Sequence, residues 1–107
     1  MAHQEHQNLI NKLSSCLAAC EHCADACLSE DNIDAMVECI RIDRDCAEVC
    51  ALAIKFVSRD SDYASAILDR CADLCSACAE ECGKHDHDHC QECAKACREC
   101  ADACRNY

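Results

Sequence analysis

Sixteen of the 107 residues are cysteine, and their spacing, more than their number, suits them to bind metal. The first block runs Cys16, Cys20, Cys23, Cys27 in steps of four, three and four, and Cys71, Cys75, Cys78, Cys82 repeat those steps. A last block runs Cys90, Cys93, Cys97, Cys100, Cys104, with Cys39, Cys46 and Cys50 standing between. Steps of three and four place side chains on one face of an α-helix. The stripe that carries Leu and Ile in an ordinary bundle here carries thiols, which become soft metal ligands once deprotonated.

A buried free cysteine is commonly just a small hydrophobe. Sixteen on converging stripes do not fit that account, because the surrounding residues are largely alanine and supply little bulk. Interiors pack near a density of about 0.74, and a residual cavity costs roughly 24 cal/mol per Å³. Metal ions would supply the missing volume. Disulfides within a stripe are a poor alternative, since a bridge across three or four helical residues constrains almost nothing that the backbone does not already fix.

Soft thiolates without interior carboxylate or histidine partners select Cu(I), with Zn(II) and iron–sulfur clusters as competitors. One Cu(I) replacing one thiol proton leaves the interior neutral, whereas Zn(II) held by four thiolates leaves two negative charges per site in a dry core. Structural zinc favours cysteine pairs on turns, and iron–sulfur runs commonly end in Cys-Pro, while this chain has no proline and continuous helix through its ligands. Seven CxxxC pairs occur, at 16/20, 23/27, 46/50, 71/75, 78/82, 93/97 and 100/104. Residues four apart have Cβ atoms about 6 Å apart, near enough for two sulfurs to converge on one ion. Capacity then lies between roughly seven Cu(I) for isolated pairs and about sixteen for shared thiolates.

The elements that must position these thiols are helices. Gly83 is the single glycine, three residues are aromatic, and Ala, Glu, Leu, Lys and Arg are plentiful. The patterning predicts four helices at roughly 4–28, 33–58, 61–82 and 87–105, in one domain spanning 1–107. Asp31 or Asn32 is expected to cap the second helix and Asp60 or Ser61 the third. Gly83 is expected as a left-handed stop, and Asp88 with Gln91 as a capping box. Short links between helices of similar length imply an all-α, antiparallel up-down-up-down four-helix bundle with a cysteine-lined core.

The chain is also a duplication. CLAACEHCADAC from Cys16 matches CAKACRECADAC from Cys93 at eight of twelve positions. In the structural pairing Cys16 to Cys27 overlay Cys71 to Cys82, and Cys39, Cys46, Cys50 overlay Cys93, Cys100, Cys104 after a one-residue indel. Each hairpin offers nine inward positions, and the eighteen comprise sixteen Cys, Asp43 in place of Cys97 and Met36 in place of Cys90. Asp43 is a hard, poor partner for Cu(I), suited instead to accepting a hydrogen bond from a thiol or pairing with Arg41 or Arg44.

The two ends of such a bundle differ. Leu9, Ile10, Leu13, Ile54, Phe56, Val57, Ile67 and Leu68 gather at one as an apolar plug. Cys27, Met36, Cys82, His85, His87, His89 and Cys90 gather at the other, which is the expected mouth for copper. His85, three residues after Cys82, and Met36 are candidate ligands beside the sixteen cysteines. His87 and His89 are read as surface loop residues, His22 as a rim residue and His6 as tail. Met1-Ala2-His3 would suit Cu(II) only with the initiator methionine retained, and is discounted.

A net charge of −11 argues against nucleic acid or an anionic membrane as partner. The amino terminus lacks a basic segment followed by an apolar run, so a cytosolic protein is expected, in a compartment that keeps thiols reduced. No nucleophile–base pairing stands out from the stripe, so no enzyme is expected. Competing readings are a thiol redox sensor or oxidant sink, for which a few exposed low-pKa cysteines would suffice, and a zinc- or cadmium-sequestering protein.

Across nearly its whole length, the repeated helical CxxxC pattern resembles the cysteine-lined four-helix-bundle copper storage proteins, in particular their cytosolic, leaderless branch. The resemblance implies storage of multiple Cu(I) ions inside the bundle, a bacterial source and assembly into homotetramers. Asp43 and Met36 are departures from a full thiol lining.

Overall fold

The computed structural model describes residues 2–107, with side chains from His6 onward. Met1 and the side chain of His3 therefore lie outside the described residues. Four helices follow in order, α1 (Ala2–Cys27), α2 (Ile33–Ser58), α3 (Ala64–Gly83) and α4 (Asp88–Arg105). Each packs on two neighbours, α1 on α2 and α4, and α3 on α2 and α4. The bundle measures 47 × 19 × 17 Å. Among the described residues no helix is long and apolar enough to cross a membrane.

Sulfur-to-sulfur contacts give the register. Cys16 meets Cys46 and Cys23 meets Cys39, both at 3.9 Å, so numbers rising along α1 face numbers falling along α2. Cys39–Cys82, Cys46–Cys75 and Cys50–Cys71 set α3 antiparallel to α2 in the same way. Cys16 also reaches Cys75 on the diagonal helix at 3.9 Å. Helices this close across the axis need small residues at the contact, which the Cys and Ala stripe provides. Ala24, Ala47, Ala72, Ala79, Ala94 and Ala101 are all buried beside the thiols.

The bulky core sits at one end, as the distribution of aliphatics implied. Leu9, Leu13, Val57 and Leu68 are buried there with Ala53 and Ala64, and Ile10, Ile54, Phe56 and Ile67 pack against them. The helix boundaries expose three corrections. Asn32 caps α2 as expected, its side chain accepting from the Ala35 amide at 3.4 Å.

Asp60, however, is used to stop α2 rather than to start α3. It adopts a left-handed φ of 52°, and the Ser61 amide returns to the Phe56 carbonyl at 3.0 Å, closing a Schellman-type end. Asp tolerates that region better than most non-glycine residues. Ser61 Oγ instead accepts from the Tyr63 amide, and α3 begins at Ala64, three residues later than predicted. Gly83 is the last residue of α3 and has no positive φ. The Asp88–Gln91 capping box also does not form, since the residue preceding α4 is His87. Gln91 Nε2 instead donates to the carbonyls of Gly83 at 3.2 Å and His85 at 2.7 Å, tying the α3–α4 turn shut.

Candidate metal centre

All sixteen cysteines are free thiols and all are buried, fifteen of them fully and Cys104 to 4 % exposure. They form one continuous column rather than separate pairs. The sulfurs of Cys16, Cys46, Cys50 and Cys75 lie within 4.8 Å of one another, as do those of Cys16, Cys20, Cys46 and Cys97. Further quartets are Cys20, Cys78, Cys93, Cys97, then Cys23, Cys27, Cys39, Cys90, and Cys50, Cys71, Cys75, Cys100. Four of these quartets overlap, at Cys16, Cys20, Cys46, Cys50, Cys75 and Cys97, so an ion held by one of the four shares sulfur with the next, whereas Cys23, Cys27, Cys39 and Cys90 share no sulfur with them.

The CxxxC unit is not the closest pairing. Cys23–Cys27, Cys71–Cys75 and Cys93–Cys97 stand at 3.9, 3.9 and 4.0 Å. Pairs between helices approach further, with Cys39–Cys82 at 3.3 Å, Cys46–Cys75 at 3.5 Å and Cys16–Cys97 at 3.6 Å. A metal–thiolate bond of about 2.3 Å places sulfurs about 4.6 Å apart around a linear ion and about 4.0 Å apart around a trigonal one. The column thus reaches three-coordinate, shared geometry with little movement, while isolated linear pairs require it to spread.

Asp43 is fully buried in this column. Its Oδ1 accepts from the thiols of Cys78 at 3.1 Å, Cys93 at 3.2 Å and Cys82 at 3.3 Å, and Oδ2 faces Cys39 at 3.8 Å. The thiol hydrogen bonds expected of it are present, and the arginine pairing is not, Arg41 lying outside on Glu38 at 3.4 Å. Burial pushes the Asp43 carboxyl up to about 7. Burial also raises the Cys27 thiol and takes Cys90 up to about 11. Burial thus favours the protonated form at these two thiols, and S–H groups along the column satisfy one another and the carboxyl; no buried side-chain nitrogen or oxygen lacks a partner among the described residues.

At the mouth, the histidine assignments change. His85 lies in the turn after α3, and its Nε2 is engaged by Glu81 Oε2 at 3.0 Å. Met36 is buried at 2 % exposure and, with His85 and His87, lines a shallow 270 Å³ depression between the two hairpin turns. The imidazole that touches thiols is that of His89, which was read as a surface residue. Its side chain is 13 % exposed, with Nδ1 3.4 Å from Cys23 Sγ and 3.5 Å from Cys90 Sγ. The reason is positional: α4 begins at Asp88, so His89 falls within its first turn, four residues before Cys93 and on the same stripe. That i, i+4 relation was the available signal. His22 is exposed as expected, and His6 stacks on Tyr107 at 5.7 Å.

Comparison with known proteins agrees with this geometry. A relative of 50 % identity over 93 residues, covering 87 % of this chain and 86 % of the other, is the uncharacterised cysteine-rich protein YhjQ of Bacillus subtilis strain 168. The Cu(I)-bound copper storage protein BsCsp3 superposes with a TM-score of 0.92 at 49 % identity, over 95 % of this chain and 96 % of that one. A cytosolic copper storage protein from Streptomyces lividans, loaded with five coppers, superposes with a TM-score of 0.93 at 40 % identity, over 98 % and 92 % of the two chains. The copper storage protein family model matches residues 2–107. With a bundle of that shape and a thiol column along its axis, the chain belongs to the copper storage protein family.

Proposed function

We propose that this protein stores Cu(I) as shared copper–thiolate units along the column of sixteen cysteines, in the cytosol. The observation that carries the reading is the overlap of the sulfur quartets. Overlap lets one thiolate serve two ions, so capacity rises above one ion per pair. If every sulfur bridges two ions, three-coordinate copper gives about eleven ions per chain and two-coordinate copper about sixteen. Each Cu(I) displaces at least one thiol proton: sixteen ions on sixteen thiolates leave the interior uncharged, and eleven leave about five negative charges. The aliphatic plug and the alanine seams contain no metal ligands, so the bundle has a core that does not depend on copper, unlike a zinc finger.

Copper enters at the end that holds Cys27, Met36, Cys90 and His89. Here His89 Nδ1 gives an incoming ion a neutral nitrogen beside the thiols of Cys23 and Cys90, a three-ligand landing point at the top of the column. The opposite end is blocked by Leu9, Leu13, Val57 and Leu68. Met36 borders the same depression as His85 and is a secondary soft contact on the way in. A partly loaded crystal with copper first at the plugged end would overturn this direction.

Assembly into a homotetramer accompanies storage in this reading; Leu28, Ile33, Leu52, Tyr63 and Tyr107 are the large apolar side chains left exposed for such contacts. Light scattering of the apo and loaded protein decides it. The storage reading itself is tested by anaerobic Cu(I) titration against a competing chelator, with Zn(II) in parallel and a thiol count. Fewer than about four tightly held Cu(I) per chain would remove it. Weak copper binding with reversible internal disulfides would favour the redox reading.

A further inference from the structure

His89 presents two different nitrogens to two different surroundings. Nδ1 faces the sulfurs of Cys23 and Cys90, and Nε2 lies 2.7 Å from Glu30 Oε2. Glu30 comes from the other hairpin, in the turn between α1 and α2, where its amide donates to the Cys27 carbonyl at 3.2 Å. The same Oε2 is 3.4 Å from His87 Nδ1, and the rings of His87 and His89 stack at 5.4 Å with an interplanar angle of 3°. His89 is thus clamped on its outer edge by a carboxylate and on its face by a second ring.

We infer that Glu30 is a positioning residue for copper entry, holding the His89 proton on Nε2 so that the Nδ1 lone pair faces the thiols. A neutral imidazole carries one N–H, and an ionised carboxylate only accepts hydrogen bonds, so the 2.7 Å contact assigns the proton to Nε2. An imidazole whose Nδ1 carried the proton would turn an N–H toward Cys23 and Cys90 and could not ligate an ion there. A carboxylate on the far nitrogen also increases the donor strength of the near one, and loss of such a partner typically weakens metal binding about 10- to 100-fold. Glu30 touches no copper in this arrangement; it acts through His89. Because Glu30 and His89 belong to different hairpins, the contact also holds the turn between α1 and α2 against the start of α4, beside the thiols of Cys23 and Cys90.

The inference rests on the reading of His89 as the entry ligand, and the experiment separates the two. Apo wild type, Glu30→Ala, Glu30→Gln, His89→Ala and the double Glu30→Ala/His89→Ala variant are compared for affinity of the first Cu(I) equivalent, anaerobically and against a chelator. ¹⁵N-correlated spectra of the imidazoles report the His89 tautomer in the same samples. Glu30 is a partly exposed turn residue, so the variants retain the fold, which circular dichroism verifies.

The expected result is a loss of about tenfold or more for Glu30→Ala, with His89 shifting toward a mixture of tautomers. Glu30→Gln, whose side-chain oxygen still accepts the Nε2 proton, recovers most of the affinity and the Nε2–H signature. In the His89→Ala background, Glu30→Ala has no further effect. If His89→Ala is impaired while Glu30→Ala matches wild type in affinity and tautomer, the role of Glu30 is overturned and the entry reading stands. An additive further loss in the double variant also overturns it, by showing that Glu30 acts without His89. If His89→Ala binds like wild type, the entry reading fails and the inference falls with it.

Discussion

Replacing Asp43 by asparagine is expected to stabilise the empty protein, and by an amount that depends on pH in a specified way. The carboxyl is fully buried, its hydrogen-bond partners are thiols, and no cation pairs with it among the described residues. Burial raises it from an ordinary 3.8 to about 7. The folded protein therefore binds this proton more tightly than the unfolded chain does, and ionising it opposes folding. At about 1.4 kcal/mol per unit, the cost is about 4 kcal/mol once the pH exceeds 7. It falls to about 2 kcal/mol near pH 5.5 and vanishes below the unfolded value near 4.

The asparagine oxygen can still accept from Cys78, Cys82 and Cys93, and its amide can donate toward Cys39, so the hydrogen bonds survive the change. Groups distant from Asp43 are common to both proteins and cancel in the difference. The assay is anaerobic urea unfolding of apo wild type and Asp43→Asn, followed by circular dichroism at pH 8 and 5.5. The expected gain is larger at the higher pH by about 2 kcal/mol. A gain independent of pH, or a loss at pH 8, would refute the argument that Asp43 is held as a desolvated carboxyl.

Other outcomes follow from the same geometry. Leu13→Ala, at a fully buried position in the plug, should cost the apo protein about 3 kcal/mol in unfolding experiments while leaving the copper stoichiometry unchanged. Cys75 lies within 4.0 Å of the sulfurs of Cys16, Cys46, Cys50 and Cys71. Cys75→Ala should then remove more than one Cu(I) from a saturated chain, measured by elemental analysis, whereas Cys104→Ala, at the end of the column, removes at most one. Loading should raise the thermal midpoint progressively in calorimetry, since copper binds the folded column and not the dispersed thiols of the unfolded chain. It should also release about one proton per Cu(I) if the copper is two-coordinate and about 1.5 if every sulfur is shared among three-coordinate ions, read with a pH indicator in weak buffer.

The stripe was legible because helical periodicity is a local property, and steps of three and four leave little choice of face. The duplication then marked Asp43 and Met36 as the two altered inward positions, and both are buried where the pairing put them. The plug was legible for a similar reason, as bulky aliphatics cluster at chain positions that the up-down topology brings together. The span of α2 matched its prediction, since Asn32 had no competing use. The start of α3 did not, because Asp60 could serve the end of one helix or the beginning of the next, and the choice depends on the chain's path between them.

His89 was misread because HDHDH resembles a solvated loop, although the fourth helix expected from about residue 87 already placed it four residues before Cys93 on the stripe. Its partner Glu30 lies 59 residues away, in a turn of the other hairpin, and no local pattern relates them. The closest sulfur pairs were illegible for the same reason. Spacing within a helix is read from the sequence, but the 3.3 Å approach of Cys39 to Cys82 is set by how two helices slide against each other.

Anomalous diffraction at the copper edge, on crystals of the saturated protein grown without oxygen, distinguishes a shared copper column from isolated sites. Storage on shared sulfurs predicts more than seven copper positions per chain, strung along the bundle axis, most of them bonded to sulfurs from at least two helices. Seven or fewer ions, each confined to a single CxxxC pair, would contradict the shared column, and copper found only on surface carboxylates and histidines would contradict storage in the core.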